Sequence, residues 1–160
     1  MRKSQAVYLN RYLDGLSIQQ DQWIDQEIDK LELTVLSKAP KQSTTLASFS
    51  GWLKHLLGTS VPAEEEAIRL WNRWKSFFVD SNLDSVTRKR TLLERDKFRC
   101  RYCFTYDQSG KSLHEHHVFP KARGGGFTLE NLAIACEKCN LGIGNQILFP
   151  PDWVVGIRKK

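Results

Sequence analysis

Four cysteines in the second half of the chain form two Cys-x-x-Cys pairs, Cys100 with Cys103 and Cys136 with Cys139. Each tight turn of this pattern places two thiolates close together, which suits tetrahedral Zn²⁺ with Zn–S distances of about 2.3 Å. In a reducing compartment such pairs indicate a metal site rather than a disulfide. Four unrelated thiols are the alternative, and the complete pairing argues against it. A site with four cysteine ligands is closed and structural, so any chemistry must come from other residues.

Three of the four histidines, His114, His116 and His117, lie between these cysteine pairs and within four residues of one another. An imidazole titrates near neutral pH, so it can take a proton from water or bind a metal ion. The clustering therefore indicates a functional site. A surface strand with incidental imidazoles is the alternative. The fourth histidine, His55, is assigned no role.

The same region contains further motifs in a fixed order. They are Leu113-His-Glu-His-His-Val-Phe-Pro120, Lys121-Ala-Arg-Gly-Gly-Gly126, Glu130-Asn-Leu132 and Cys136-Glu-Lys-Cys-Asn140. In this order and spacing, residues 88–148 resemble the HNH endonuclease family of the ββα-metal fold. That family combines a cysteine pair, Asp-His or His-His before an apolar residue and a proline, a Gly-Gly loop, Asn-Leu, and a closing Cys-x-x-Cys-Asn or Cys-x-x-Cys-His. The resemblance leaves residues 1–80 unexplained.

The resemblance implies a role for each matching residue. His117 is expected to be the general base that takes a proton from the attacking water, and Asn131 is expected to fix its orientation. His116, where many relatives have Asp, and Asn140 are expected to bind a catalytic divalent ion. With so few protein ligands, Mg²⁺ or Mn²⁺ is a better fit than tightly bound zinc.

Two features near these residues leave alternatives open. Lys121 and Arg123 flank the predicted strand that carries His114, His116 and His117, which we call the histidine strand. They are predicted to hold phosphates of a nucleic acid, although simple solvated charges fit almost as well. Relatives with Cys-x-x-Cys-His often carry a further histidine four residues later, where this chain has Gly144. A weakened or inactive metal site is therefore the alternative to an active one.

The elements that must position these residues are short. A basic helix is predicted over about residues 85–95, before the first cysteine pair. A strand then ends at His116 and His117, a glycine-rich loop follows at residues 124–126, and a second strand covers about residues 132–135. A last helix is predicted to start around the second cysteine pair.

The first half of the chain is predicted to be helical. A capping box at Ser17 precedes the first helix, which ends before Pro40. The second helix starts at Thr44 or Thr45, and the third at Pro62. The predicted apolar faces are Ile24, Ile28, Leu31 and Val35; Leu46, Phe49, Leu53 and Leu56; and Ile68, Trp71, Trp74 and Phe78. The helical spacing favours a packing or partner-binding role over a DNA-reading helix-turn-helix, which remains the alternative.

Charge is distributed unevenly along the chain. Residues 1–80 carry 10 Lys and Arg against 10 Asp and Glu, whereas residues 81–160 carry 14 against 8. A basic half indicates a polyanionic partner, because neutralising phosphates releases their counterions. No apolar run approaches the roughly 20 residues that span a bilayer, and the N-terminus lacks the apolar core of a secretory signal. We therefore expect an intracellular, cytoplasmic protein.

Together these observations predict an α+β protein with a small helical domain over residues 1–80 and a zinc-stapled ββα-metal domain over residues 81–160. The predicted function is that of an HNH endonuclease, a metal-dependent hydrolase of phosphodiester bonds that acts on nucleic acid, with DNA the favoured substrate. A non-catalytic zinc module that binds nucleic acid is the first alternative. An interaction protein that acts through its helical half is the second. In the leading hypothesis, the helical half provides specificity, a homodimer contact or a protein partner's docking surface.

Overall fold

A computed structural model of the protein describes residues 24–41, 43, 45–58 and 62–151. The chain divides into two compact units, Met1–Glu32 with Val154–Lys160, and Leu33–Trp153. In the first unit, the described residues 24–32 are helical. The predicted cap at Ser17 lies outside the described residues. Every candidate site residue belongs to the second unit.

Three helices occupy the described part of the N-terminal half. Helix α1 covers residues 24–36, α2 covers Leu46–Leu57 and α3 covers Glu64–Phe78. Thr45 caps α2, because its hydroxyl accepts the Ser48 N–H at 3.2 Å, and Gly58 ends the helix at a φ of 62°. A glycine suits this position because a positive φ carries no side-chain penalty there. The predicted start and end of α2 are therefore confirmed.

The predicted apolar face of α1 is wrong. Leu33 and Leu36 are buried in it, whereas Leu31 is 68% exposed and Val35 is 41% exposed. Both pairs of residues satisfy a helical spacing, so periodicity offered two faces. The choice between them depends on the partners that α1 packs against.

Helices α2 and α3 pack on the end of α1 to form one hydrophobic cluster. Its buried members are Leu36, Ala39, Phe49, Leu53, Ala67 and Trp74. Three residues of the predicted α2 and α3 faces lie outside this cluster, since Leu46 is half-buried and Leu56 and Ile68 are exposed. On α3, Ala67 is buried instead of Ile68, whereas the predicted Trp74 is buried and the predicted Trp71 and Phe78 pack against the cluster.

The second half of the described chain forms the predicted ββα arrangement. Helix α4 covers Ser85–Arg95, and its N-cap Asp84 accepts the Val86 and Thr87 N–H groups at 3.0 and 2.9 Å. Strand β1, Leu113–His117, pairs antiparallel with β2, Leu132–Cys136, and helix α5 covers Glu137–Ile143. A single 3₁₀ turn, Lys121–Arg123, follows β1. The predicted α+β class is confirmed, with five helices and a two-stranded sheet in the described residues.

Packing continues across the predicted domain boundary at residue 80. Phe77 of α3 shares a buried cluster with Val118, Phe119 and Ala133. In addition, the Gly126 N–H donates to the Phe77 carbonyl oxygen at 2.7 Å. The end of α3 therefore contacts the loop that follows the histidine strand. The division into domains at residues 1–80 and 81–160 stays a prediction about the chain's organisation.

In the residues that the structure describes, no helix combines the length and the apolar character that crossing a membrane requires.

Candidate active site and metal centre

The four cysteines converge where the turn after α4 meets the start of α5. Their sulfur atoms all lie within 4.8 Å of one another, and the sulfur atoms of Cys103 and Cys136 are 3.6 Å apart. Four sulfurs bound tetrahedrally at about 2.3 Å from one Zn²⁺ would be about 3.8 Å apart. The cluster therefore fits the predicted zinc site.

Local hydrogen bonds hold the turn of the first cysteine pair, Cys100 and Cys103, which we call the first zinc knuckle. The Cys100 N–H donates to the Thr105 carbonyl oxygen at 2.9 Å, which closes the turn, and the Thr105 hydroxyl lies 3.1 Å from the Cys103 sulfur. The hydroxyl and N–H of Thr105 lower the pKa of Cys103 to about 6. A lowered pKa favours the thiolate, which is the form that binds zinc.

His116 lies on the face of β1 that is turned toward α5. Its Nδ1 is 2.8 Å from the Asn140 Oδ1, and the Tyr102 ring packs edge-on against the imidazole at 5.4 Å between centroids. Burial lowers the pKa of His116, and the contact with Asn140 opposes that shift. Two ligand atoms at about 2.1 Å from one octahedral ion are about 3 Å apart. The pair therefore fits a shared divalent ion as well as a direct hydrogen bond.

His117 points to the opposite face, because adjacent residues of a strand alternate. Its ring packs edge-on against Phe127 at 4.6 Å between centroids. Burial above all, together with the positive charges of His116 and Lys121, lowers the pKa of His117. A lowered pKa keeps the imidazole neutral at physiological pH, which is the form that accepts a proton.

Phe127 is the centre of a group of contacts that sequence reasoning missed. The Arg88 guanidinium carbon and the Lys121 Nζ lie 4.7 and 4.8 Å from the centroid of its ring. Arg88 also donates to both carboxylate oxygens of Glu115, at 3.1 and 3.0 Å. This ion pair fixes α4 beside β1. No spacing signal could have shown it, because Arg88 and Glu115 are 27 residues apart along the chain.

The Asn131 side chain stabilises the turn after β1 through three hydrogen bonds. Its side-chain amide donates to the carbonyl oxygens of Phe119 and Gly126 at 3.1 and 3.0 Å, and its Oδ1 accepts the Phe119 N–H at 2.8 Å. The approach is so close that a Cβ on Gly125 would lie 1.9 Å from the Phe119 carbonyl oxygen. Asn131 thus lies where a bracing residue is needed, and its role toward His117 stays a prediction.

We expect Asn131→Asp to lower the free energy of unfolding by about 2–4 kcal/mol, because a carboxylate cannot donate to two buried carbonyl oxygens. Urea denaturation of the zinc-loaded variant would measure the loss. Asn82→Asp, at an exposed position, is the matched control and should unfold like the wild type. An Asn131→Asp variant as stable as the wild type would contradict the bracing role.

Positive charge surrounds the histidine strand. Lys121 and Arg123 are exposed on the 3₁₀ turn, and Arg123 lies over the Phe119 ring at 5.3 Å. A cleft of about 670 Å³ is lined by residues of α4, β1 and α5, among them Lys89, Arg90 and Asn140. The predicted basic helix was the only sequence signal for Lys89 and Arg90. Phosphate binding by Lys121 and Arg123 stays a prediction.

Gly144, the departure noted in the sequence, lies just after α5. It is the C-cap of that helix, with a φ of 56°. Position 144 thus contributes no side chain to the pair formed by His116 and Asn140. Any ion bound there would complete its coordination with water or substrate oxygens.

Comparison with known proteins bears on this region. Residues 100–149 match the family model of HNH endonucleases. The match includes the four cysteines, both strands and α5, and it leaves out α4 and the preceding helices. The chain matches no curated protein and no solved structure. Residues 100–149 are therefore similar to the HNH endonucleases over about a third of the chain.

Proposed function

We propose that this protein is a metal-dependent endonuclease that hydrolyses the phosphodiester bonds of nucleic acid, with DNA the favoured substrate. One observation carries the proposal. His116 and His117 each have a buried Nε2 atom with no hydrogen-bond partner in the described part of the chain. Buried polar atoms are almost always satisfied, so an exception needs an explanation such as a catalytic role or a bound ion. Two adjacent exceptions within an HNH motif support a functional role for both imidazoles.

The two histidines would divide the work of hydrolysis. Neutral His117 would accept a proton from the water that attacks phosphorus, while Phe127 limits the movement of its ring. His116 and Asn140 would hold Mg²⁺ or Mn²⁺, which would stabilise negative charge on the leaving oxygen. The two groups lie on opposite faces of one strand, so a scissile phosphate would have to lie at the strand's end. Pro120 and the glycines at 124–126 follow the strand there, and the chain turns away from the direction of β1.

Phosphates on either side of the scissile bond would be held by cations around the site. Lys121 and Arg123 lie on the turn after β1, and Lys89 and Arg90 line the cleft beside Asn140. Electrostatic contacts of this kind position a nucleic acid without reading its sequence. The helical half would then provide specificity, a homodimer contact or a docking surface for a protein partner. Association with cytoplasmic nucleic acid stays a prediction.

The alternative function is a zinc module that binds nucleic acid without cleaving it. Gly144 favours this reading, because it leaves only two side-chain ligands for a catalytic ion. Both functions predict binding to nucleic acid, so only a cleavage assay separates them.

The test is incubation of the zinc-loaded protein with supercoiled plasmid, with and without added Mg²⁺ or Mn²⁺. We expect nicking or linearisation that requires the added ion. His116→Ala or Asn140→Ala should lower the cleavage rate at least about 100-fold, since even outer-sphere partners of a metal ligand contribute about 10–100-fold. The rate should recover partly at higher ion concentrations.

His55→Ala is the matched control, since this exposed histidine lies on α2 and should leave the rate unchanged. Cleavage without any added ion, or cleavage that tolerates both ligand substitutions, would contradict the proposed ion site. Absence of cleavage on plasmid, single-stranded DNA and RNA, with binding retained, would favour the non-catalytic module.

A further inference from the structure

A second basic cavity lies at the turn between α4 and the first zinc knuckle. Its volume is about 420 Å³. Its charged lining residues are four cations and one carboxylate, namely Arg95, Lys97, Arg99, Arg101 and Asp96. Among the residues that the structure describes, it shares no lining residue with the cleft at Asn140. It is therefore a separate place on the protein.

The one carboxylate of this cavity is already used within the fold. The Asp96 side chain is 2% exposed, accepts the Ile134 N–H at 2.9 Å and pairs with the Arg95 Nε at 2.6 Å. Arg95 also donates to the carbonyl oxygens of Leu129 and Leu132, at 2.6 and 2.8 Å. Asp96 and Arg95 thus form a neutral ion pair that connects α4 with β2. Arg101 also lies near this carboxylate, with its Nη1 3.9 Å from the Asp96 Oδ1. With four cations against one carboxylate, the cavity keeps an excess of positive charge.

The cavity lies on the side of β2 that faces away from β1. The Arg101 N–H donates to the Ile134 carbonyl oxygen at 2.9 Å, and the Ile134 N–H donates to Asp96. Both backbone groups of Ile134 therefore point away from β1, which pairs with the other edge of β2. A ligand in this cavity would be separated from His116 and His117 by the width of a strand.

Aromatic rings adjoin the cations. Phe104 lines the cavity, and its side chain stays 52% exposed. Tyr106 is 53% exposed and lies under the Arg99 guanidinium, 5.0 Å from the centroid of the ring. Proteins that bind unpaired nucleic acid combine these two elements, because cations follow the phosphates and exposed rings stack on bases.

We infer that this cavity binds a phosphate of an unpaired nucleic-acid strand, with an adjoining base stacked on Phe104. The inference rests on the proposed nucleic-acid substrate. It adds a contact outside the active site and a preference for strands that are single or locally opened. Lys97 and Arg99 would neutralise the phosphate, while Arg101 lines the wall nearest β2.

The test is fluorescence anisotropy of a labelled single-stranded oligonucleotide with zinc-loaded protein, without added Mg²⁺ or Mn²⁺ and at several salt concentrations. The variant Lys97→Asn/Arg99→Gln removes both exposed cations, and asparagine tolerates the positive φ of 54° at position 97. We expect the slope of log Kd against log salt to become shallower by about 0.7 for each phosphate that the variant no longer neutralises. Phe104→Leu should weaken binding of the single strand about tenfold and leave binding of duplex DNA nearly unchanged.

Two control variants accompany the test. Lys41→Gln/Lys54→Gln removes two exposed cations elsewhere and should leave the slope as in the wild type. Lys97→Arg/Arg99→Lys keeps both charges and should do the same. An unchanged slope in the Lys97→Asn/Arg99→Gln variant, or equal effects of Phe104→Leu on single strand and duplex, would overturn the inference. The proposed nuclease function is judged separately, by metal-dependent cleavage of plasmid.

Discussion

Removal of zinc is expected to unfold the ββα part of the protein. The two cysteine knuckles connect the turn after α4 with α5, and Cys100, Cys136 and Cys139 all join the cluster that contains Leu113 and Ile134. Binding of structural zinc contributes about 10–16 kcal/mol in small zinc domains, whereas a whole domain is stable by only about 5–15 kcal/mol. Losing the ion should therefore cost most or all of the stability of this region.

Hydrogen exchange of β1 and β2, measured before and after treatment with a zinc-selective chelator, would check this expectation. The strand amides should lose their protection, and re-added Zn²⁺ should restore it while Mg²⁺ should not. Cys139→Ser should behave like chelation and should reduce the zinc content below one ion per chain. Unchanged strand protection in the metal-free protein would mean that the cysteine cluster does not hold the fold.

His117→Ala is expected to lower the rate of cleavage by about 10²–10⁴-fold while leaving nucleic-acid binding nearly unchanged. Proton transfer by a positioned side chain contributes about this much to catalysis. The buried imidazole adds little to substrate affinity, since exposed cations supply most of the attraction for phosphates. Single-turnover cleavage of a saturating oligonucleotide, with anisotropy as the binding measurement, separates the two effects.

A second substitution distinguishes loss of the base from loss of packing. His117→Gln fills much of the space beside Phe127 but accepts a proton poorly, so its rate should resemble that of His117→Ala. The thermal unfolding temperature of the glutamine variant should stay close to that of the wild type. Recovery of activity in His117→Gln would show that position 117 acts through packing and would contradict the proposed general base.

Local sequence determined much of the architecture. The Thr45 cap and Gly58 bounded α2, and the basic helix Ser85–Arg95 ends where it was predicted to end. Both cysteine pairs and the order of β1, β2 and α5 also followed from residues that lie close together along the chain. Capping, tight turns and thiol spacing act over a few residues, so a single sequence contains their whole cause.

Tertiary packing alone decided the rest. Leu31 and Leu33 fit helical spacings equally well, and only the second is buried, because the partners of α1 are supplied by distant parts of the chain. The edge-on contact of His117 with Phe127 and the hydrogen bond from the Ile134 N–H to Asp96 likewise join residues that periodicity cannot relate. The sequence by itself therefore predicted the cysteines and His116, His117, Asn131 and Asn140 as candidate site residues. The long-range contacts decided which imidazole nitrogens are buried and which cations share a cavity, since these properties depend on atoms brought together only when the chain is folded.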